Sequence, residues 1–188
     1  YSFIAGFDPI QEQALIWSNY SINQIDLKQN YQITPLTSYD LSTLSCTTNS
    51  ALPFCRVSQS RKQITDFHYI NFPSKQGWVV GFKELSKDLF LYKINNYVSK
   101  IATLPNSYLS FFYKHSETGE SKVFYCSSNG NLHKYNTSTE IDTQLNLLDG
   151  NLKCSGQTLY YSQRRNSLMF PFKQNSLSGV AEYDISDE

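Results

Sequence analysis

Residues 107–148 constrain the fold more than any other stretch. Apolar and polar residues alternate through "SYLSFFY" (107–113), turn at "SETGE", and alternate again over 122–127. They turn once more at "SNGN", continue through 131–136, and meet a fourth alternating run near 142–148. A period of two sends successive side chains to opposite faces of a strand. Asn129-Gly130 suits a type I′ turn, whose central residues both need positive φ, and Gly119 serves the turn before it. The stretch predicts a four-stranded antiparallel meander of 42 residues.

The same phrase recurs. Second strands read "ALIWS", "GWVVGF", "VFYC" and "SLMFPF"; third strands read "INQIDL", "DLFLYKI", "NLHKYN" and "GVAEYDI". The second-strand starts, 14, 77, 123 and 167, are spaced by 63, 46 and 44 residues. The last two spacings match the period of about 40–50 residues expected of propeller blades. The first is longer by an insertion at 37–63 that carries Cys46 and Cys55. Helical periodicity is absent, and "LKQNYQITPLT" is interrupted by Pro35. A meander with two apolar faces cannot bury both alone, whereas blades packed around an axis can. The expected fold is all-β: a single propeller-like domain over 1–188, with blades at about 2–36, 64–104, 107–148 and 155–188. A β-sandwich, which also spaces short strands evenly, is the alternative. The last blade lacks a fourth strand; the N-terminal strand, or further blades of a larger ring, would supply it.

Sixteen basic and sixteen acidic residues cancel, so the chain lacks the electrostatic footprint of a general nucleic-acid binder. Fourteen Tyr and twelve Phe argue against disorder and for strands. No apolar run reaches the length of about 18 residues that a spanning helix needs, so no direct membrane insertion is expected. The opening Tyr1-Ser2-Phe3-Ile4 has neither Met nor a basic leader region, as a processed chain or a fragment would have.

Four cysteines allow three disulfide pairings. A local staple Cys46–Cys55 around "TTNSALPF", with Cys126–Cys154 between neighbouring strand groups, is the favoured arrangement, and free buried thiols are its rival. Zinc needs much tighter C-x(2–4)-C pairs. Two sequons, at Asn19 and Asn136, fall at strand ends where a glycan could project. Together these features point to an extracellular or secretory-pathway location.

"FDPIQEQALIWSNYSINQIDLKQN" (7–30) resembles one blade of the YWTD propellers of the low-density-lipoprotein receptor class. Ile16-Trp17-Ser18-Asn19 stands at the signature positions, with Trp17 the identity. The resemblance covers these 24 residues and implies an extracellular ligand-binding propeller, without transferring a binding residue.

Catalytic and cofactor motifs are missing. None of His68, His115 and His133 sits in H-x-H or H-E-x-x-H, and no nucleophile elbow, phosphate loop or calcium loop occurs. Neither a catalytic residue nor a cofactor nor a metal site is assigned. His115 and His133 read as solvated turn and strand positions, and Asp184, Asp187 and Glu188 as a frayed acidic tail. Arg61-Lys62 and Arg164-Arg165 read as loop charges, and Trp17 and Trp78 as core. The expected function is a non-enzymatic binding or adhesion module that recognises a protein or glycan through propeller loops, with 37–63 as a contact loop. One alternative is a propeller-scaffold hydrolase or lyase drawing acids from separate blades, such as Asp66 and Glu84. The other is a structural segment of a larger chain or assembly.

Overall fold

The computed structural model describes residues 2–8, 12–18, 21–40, 45–46, 67–71, 78–83, 88–94, 98–116, 119–147, 152–155 and 158–188. Among them there is no helix, and seventeen strands form four antiparallel sheets. The chain divides into two compact units, Tyr1–Glu84 with Leu91–Ile101, and Leu85–Phe90 with Ala102–Glu188.

The first sheet runs in chain order: β1 (Ser2–Asp8), β2 (Gln13–Ser18), β3 (Ser21–Asp26), β4 (Gln32–Asp40) and β5 (Ser45–Cys46). β4 passes the expected boundary at 37, and β5 pairs with it through Tyr39 and Cys46. The start of the expected insertion is therefore sheet, not loop. β1 pairs with β2 along its length, so the N-terminal strand belongs to the first sheet and does not complete the last one. The second sheet holds β6 (Phe67–Asn71), β7 (Trp78–Lys83), β8 (Leu89–Ile94) and β9 (Val98–Leu104), and β6 lies against β1.

The third sheet is the meander read from 107–148: β10 (Ser107–Lys114), β11 (Lys122–Ser127), β12 (Leu132–Asn136) and β13 (Asp142–Gln144). β11 is buried on both faces, which explains its unbroken apolar run "VFYC". The turn at Asn129-Gly130 differs from the expectation. Of its residues only Gly130 has positive φ (79°). Gly130 N–H donates to Ser127 O at 2.8 Å and Ser127 N–H to Asn131 O at 2.9 Å. This is a three-residue loop closed by a glycine bulge, a geometry that asks for one left-handed residue instead of two.

The fourth sheet contains β14 (Lys153–Cys154), β15 (Tyr160–Ser162), β16 (Ser167–Gln174) and β17 (Leu177–Asp184). β14 and β15 are two pieces of one interrupted strand along β16: β14 pairs at Phe172 and Lys173, β15 at Ser167, Leu168 and Met169. Pro171 sits between the two pairings and has no N–H to donate, so the ladder breaks where the strand does. β17 covers the other edge of β16, and its own outer edge pairs with no described strand.

A core lies between the third and fourth sheets. Phe124, Cys126, Leu132 and Leu145 meet Cys154, Leu159, Leu168, Phe170 and Ile185. Phe124, Leu132, Leu168 and Ile185 have no exposed area, and each such apolar side chain contributes about 1.5–3 kcal/mol of burial. Cys126 and Cys154 form a disulfide within this core, Cα to Cα 6.2 Å.

Candidate functional site: a lysine cleft and a Tyr–Asp–His cluster

The hairpins of three sheets close at their base in the same way. Strand three ends on Asp26, Asn136 or Asp184, each opposite the first residue of strand two: Gln13, Lys122 or Ser167. The next N–H donates to the carbonyl just before strand two: Leu27 to Glu12 at 2.9 Å, Thr137 to Ser121 at 3.0 Å, and Ile185 to Asn166 at 3.1 Å. The Asx side chain then accepts from the backbone two residues on: Lys28 N–H at 2.9 Å, Ser138 N–H at 2.9 Å and Ser186 N–H at 2.8 Å. A short oxygen acceptor at that point satisfies donors which the turn would otherwise leave without partners. The signal stood in the sequence as Ile25-Asp26, Tyr135-Asn136 and Tyr183-Asp184, where an apolar or aromatic residue precedes each Asx at the end of strand three.

This assigns Asn136 a turn-capping role. Its Oδ1 accepts from Ser138 and Thr139, and its Nδ2 donates to the Glu120 carboxylate. Asn19 and Cys55 lie outside the described residues, as do Arg61-Lys62, Asp66 and Glu84. Cys46 lies in β5 and His68 in β6.

Two polar groupings occupy the third sheet. On one face Tyr125 is fully buried, and its hydroxyl donates to Asp142 Oδ2 at 2.8 Å. His133 Nδ1 lies 3.1 Å from the same oxygen, and its ring stacks on Tyr125 with centroids 5.1 Å apart. Burial opposes charge on Asp142, but hydrogen bonds from His133 and Tyr125 outweigh it and hold the carboxyl below the usual carboxylate range. Burial, then the hydrogen bond to Asp142, pushes the Tyr125 hydroxyl far above the usual phenol range. The histidine that read as a solvated strand position is thus half of a partly exposed clamp laid over the buried Tyr125 ring, because β13 brings Asp142 alongside β12.

On the other face, a cleft of about 320 Å³ is lined by Lys114, His115, Ser116, Glu120, Lys122 and Glu188. Lys114 and Lys122 stand directly opposite each other on β10 and β11. Lys114 Nζ donates to the backbone oxygens of Ile185 at 2.7 Å and Glu188 at 3.2 Å. Lys134 holds the Glu188 carboxylate, which also accepts from Tyr183 Oη at 3.3 Å. Burial and the Lys122 charge hold the Lys114 ammonium below the usual lysine range, while Glu188 and Asp184 pull the other way. Glu188 itself is opposed by burial and still sits below the usual range, through Lys134. Of the acids read as a frayed tail, Glu188 is therefore held by Lys134 and Asp184 caps its own turn, while Asp187 is exposed. His115 is equally far from a solvated turn: its ring stacks on Tyr113 at 6.3 Å and its Nδ1 lies 3.4 Å from Ser121 Oγ. Sequence reasoning missed this cleft because Lys114, Lys122 and Glu188 meet only through the pairing of β10 with β11 and the course of the residues after β17.

No protein-family model and no curated protein sequence matches this chain. Among solved structures it is similar to an oligogalacturonate lyase from Vibrio parahaemolyticus, at 11% identity and a TM-score of 0.42. That match covers 93% of this chain and 56% of the lyase, so the chain spans little more than half the length of that protein.

Proposed function

We propose that the chain is a non-enzymatic ligand-binding module of an extracellular protein, with its sheets arranged as propeller blades. The carrying observation is the repeated hairpin base together with the contact between first strands of successive sheets. In the second unit Ser110 Oγ of β10 accepts from Leu159 N–H at 2.9 Å, beside β15, and Phe112 stacks on Tyr161 at 4.1 Å. In the first unit β1 lies against β6. First strands side by side, with later strands stepping outward, is how blades meet around an axis. The Cys126–Cys154 bond is compatible with an oxidising compartment, and no helix among the described residues is long and apolar enough to cross a membrane. The YWTD-like blade at 7–30 points the same way. A module of this kind takes a protein or glycan ligand on loops and clefts of a rigid scaffold.

The test is to incubate the purified chain with panels of extracellular peptides and oligosaccharides. Binding is followed by saturation-transfer NMR and turnover by mass spectrometry. Binding without product formation supports the reading; turnover of a panel member, or no binding to any, overturns it. The Asp142–His133 pair is the one observation that favours the hydrolase or lyase reading, for which Asp142→Asn would have to abolish a measured turnover.

A further inference from the structure

We infer that the outer face of the fourth sheet, turned away from the third, is a docking surface for a second copy of this chain, which offers its first sheet in return. This surface is independent of what the module binds, and register identifies it. Counted from the Asx-closed base, the hairpins of the first, third and fourth sheets align pair by pair: Gln13 with Asp26, Lys122 with Asn136, and Ser167 with Asp184. Successive pairs alternate between the two faces of a sheet, so equal counts name equal faces. In the third sheet the third and fifth pairs are Phe124 with Lys134 and Cys126 with Leu132, and Phe112 of β10 stands opposite Phe124. Phe124, Cys126 and Leu132 are buried in the core shared with the fourth sheet, and Phe112 packs against it. The same counts in the fourth sheet give Met169 with Glu182 and Pro171 with Val180, and Tyr160 stands opposite Met169. Here the face is bare: Tyr160 is 63% and Val180 65% exposed. Positions that hold a neighbouring sheet in one case present Tyr160 and Val180 to solvent in the other, with Met169 and Pro171 half-buried between them.

The chain itself shows what such a face takes. The fourth sheet meets the third with its second pair, Leu168 with Tyr183, and its fourth, Phe170 with Ala181. The second pair of the first sheet is Ala14 with Ile25, and β4 extends that row to Ile33, which is 60% exposed. The first sheet therefore offers a second copy an apolar row at the positions by which the fourth sheet docks on the third. The corresponding row of the third sheet, Val123 with Tyr135, is buried within the chain and has nothing to offer. Unlike face on unlike face repeats a packing already present in the molecule, whereas two outer faces of fourth sheets meeting each other would not. Glu182, beside Met169 on the docking face, already pairs with Arg165 at 2.9 Å and accepts from Ser167, so docking does not strand its charge. Contacts between unlike faces are heterologous, and they join copies into a closed ring or an open row.

The experiment is sedimentation velocity of the intact chain over a series from low to high micromolar concentration. Association that grows with concentration is expected. Val180→Asp on the fourth sheet and Ile33→Asp on the first should each weaken it about tenfold or more, because each sets a carboxylate in an apolar contact. Mixing the two variants should restore a one-to-one pair, since each keeps the face that the other has lost. Tyr160→Ser repeats the fourth-sheet test with a change outside β17, and thermal melts check that every variant is folded. A chain that stays monomeric throughout overturns the inference. So does association that survives either aspartate variant, or a mixture of the two that fails to pair. Association lost in Val180→Asp but untouched in Ile33→Asp would mean that two fourth sheets meet each other, which overturns it as well. None of these results touches the ligand-panel measurements, so the binding-module reading stands or falls separately.

Discussion

The third and fourth sheets begin alike and end differently. Both run a strand-two, strand-three hairpin closed by an Asx residue, Asn136 in one and Asp184 in the other. After Asn136 the chain turns through Glu140, in positive φ, and returns as β13, whose Asp142 clamps Tyr125 and His133. After Asp184 the residues instead run along the lysines of the neighbouring sheet, where Glu188 is held by Lys134. One turn chemistry thus delivers a carboxylate to two different tasks. What separates them is the surface that the next residues meet: the open edge of β12 in one case, a cluster of cations in the other.

The strongest way to break this comparison is to separate the two sheets. Replacing Cys126 and Cys154 by Ala removes a cross-link of 28 residues' separation and should cost about 3–4 kcal/mol. Urea midpoints of the oxidised chain and the double variant measure it. Equal midpoints would mean that the sheets hold together without the bond.

Gly130→Ala should come next, at about 2 kcal/mol. Its φ of 79° strains an L-residue, and an added Cβ would stand 2.8 Å from Lys153 Cβ and 3.1 Å from Cys154 O. The loss should appear as a lower urea midpoint with an unchanged slope.

Tyr125→Phe should cost about 1–1.5 kcal/mol at neutral pH. It also carries a pH signature. Because the Asp142 carboxyl is depressed in the fold, its stabilisation is complete above the unfolded value of about 4 and lost as pH falls through the lower folded value. Removing the Tyr125 hydroxyl raises that folded value, so the variant should lose this increment at higher pH than the parent. Denaturation at a series of pH values below about 5 tests the sign. Asn136→Ala, which removes one turn cap while leaving the strand ladder, should cost about 1 kcal/mol. Differential scanning calorimetry would resolve the shift.

The strands were legible because period two is local. "KVFYC", "LFLYKI" and "SLMFPF" lie within a residue or two of β11, β8 and β16. The Cys126–Cys154 bond was legible only as the pair left over once a local Cys46–Cys55 staple is favoured. The turn at 128–130 was misjudged because Asn-Gly serves both two- and three-residue loops, and the deciding bonds involve Ser127 and Asn131. The cleft and the Tyr–Asp–His clamp were hidden for a different reason. The bonds that Asp142 and the 185–188 residues make there join partners 9 to 74 residues apart in the chain, which only the fold brings together.

The bases of the three hairpins are fixed, but their lengths are not: Gln13 to Asp26, Lys122 to Asn136, and Ser167 to Asp184. All of that variation is absorbed at the far end. For an engineer this makes the unit a handle with an exchangeable head. The 128–130 head is held, since Gly130 O accepts from Cys154 N–H at 2.7 Å. The Asn175-Ser176 head is exposed, so foreign loops grafted there should be displayed without disturbing the grip at Asp184.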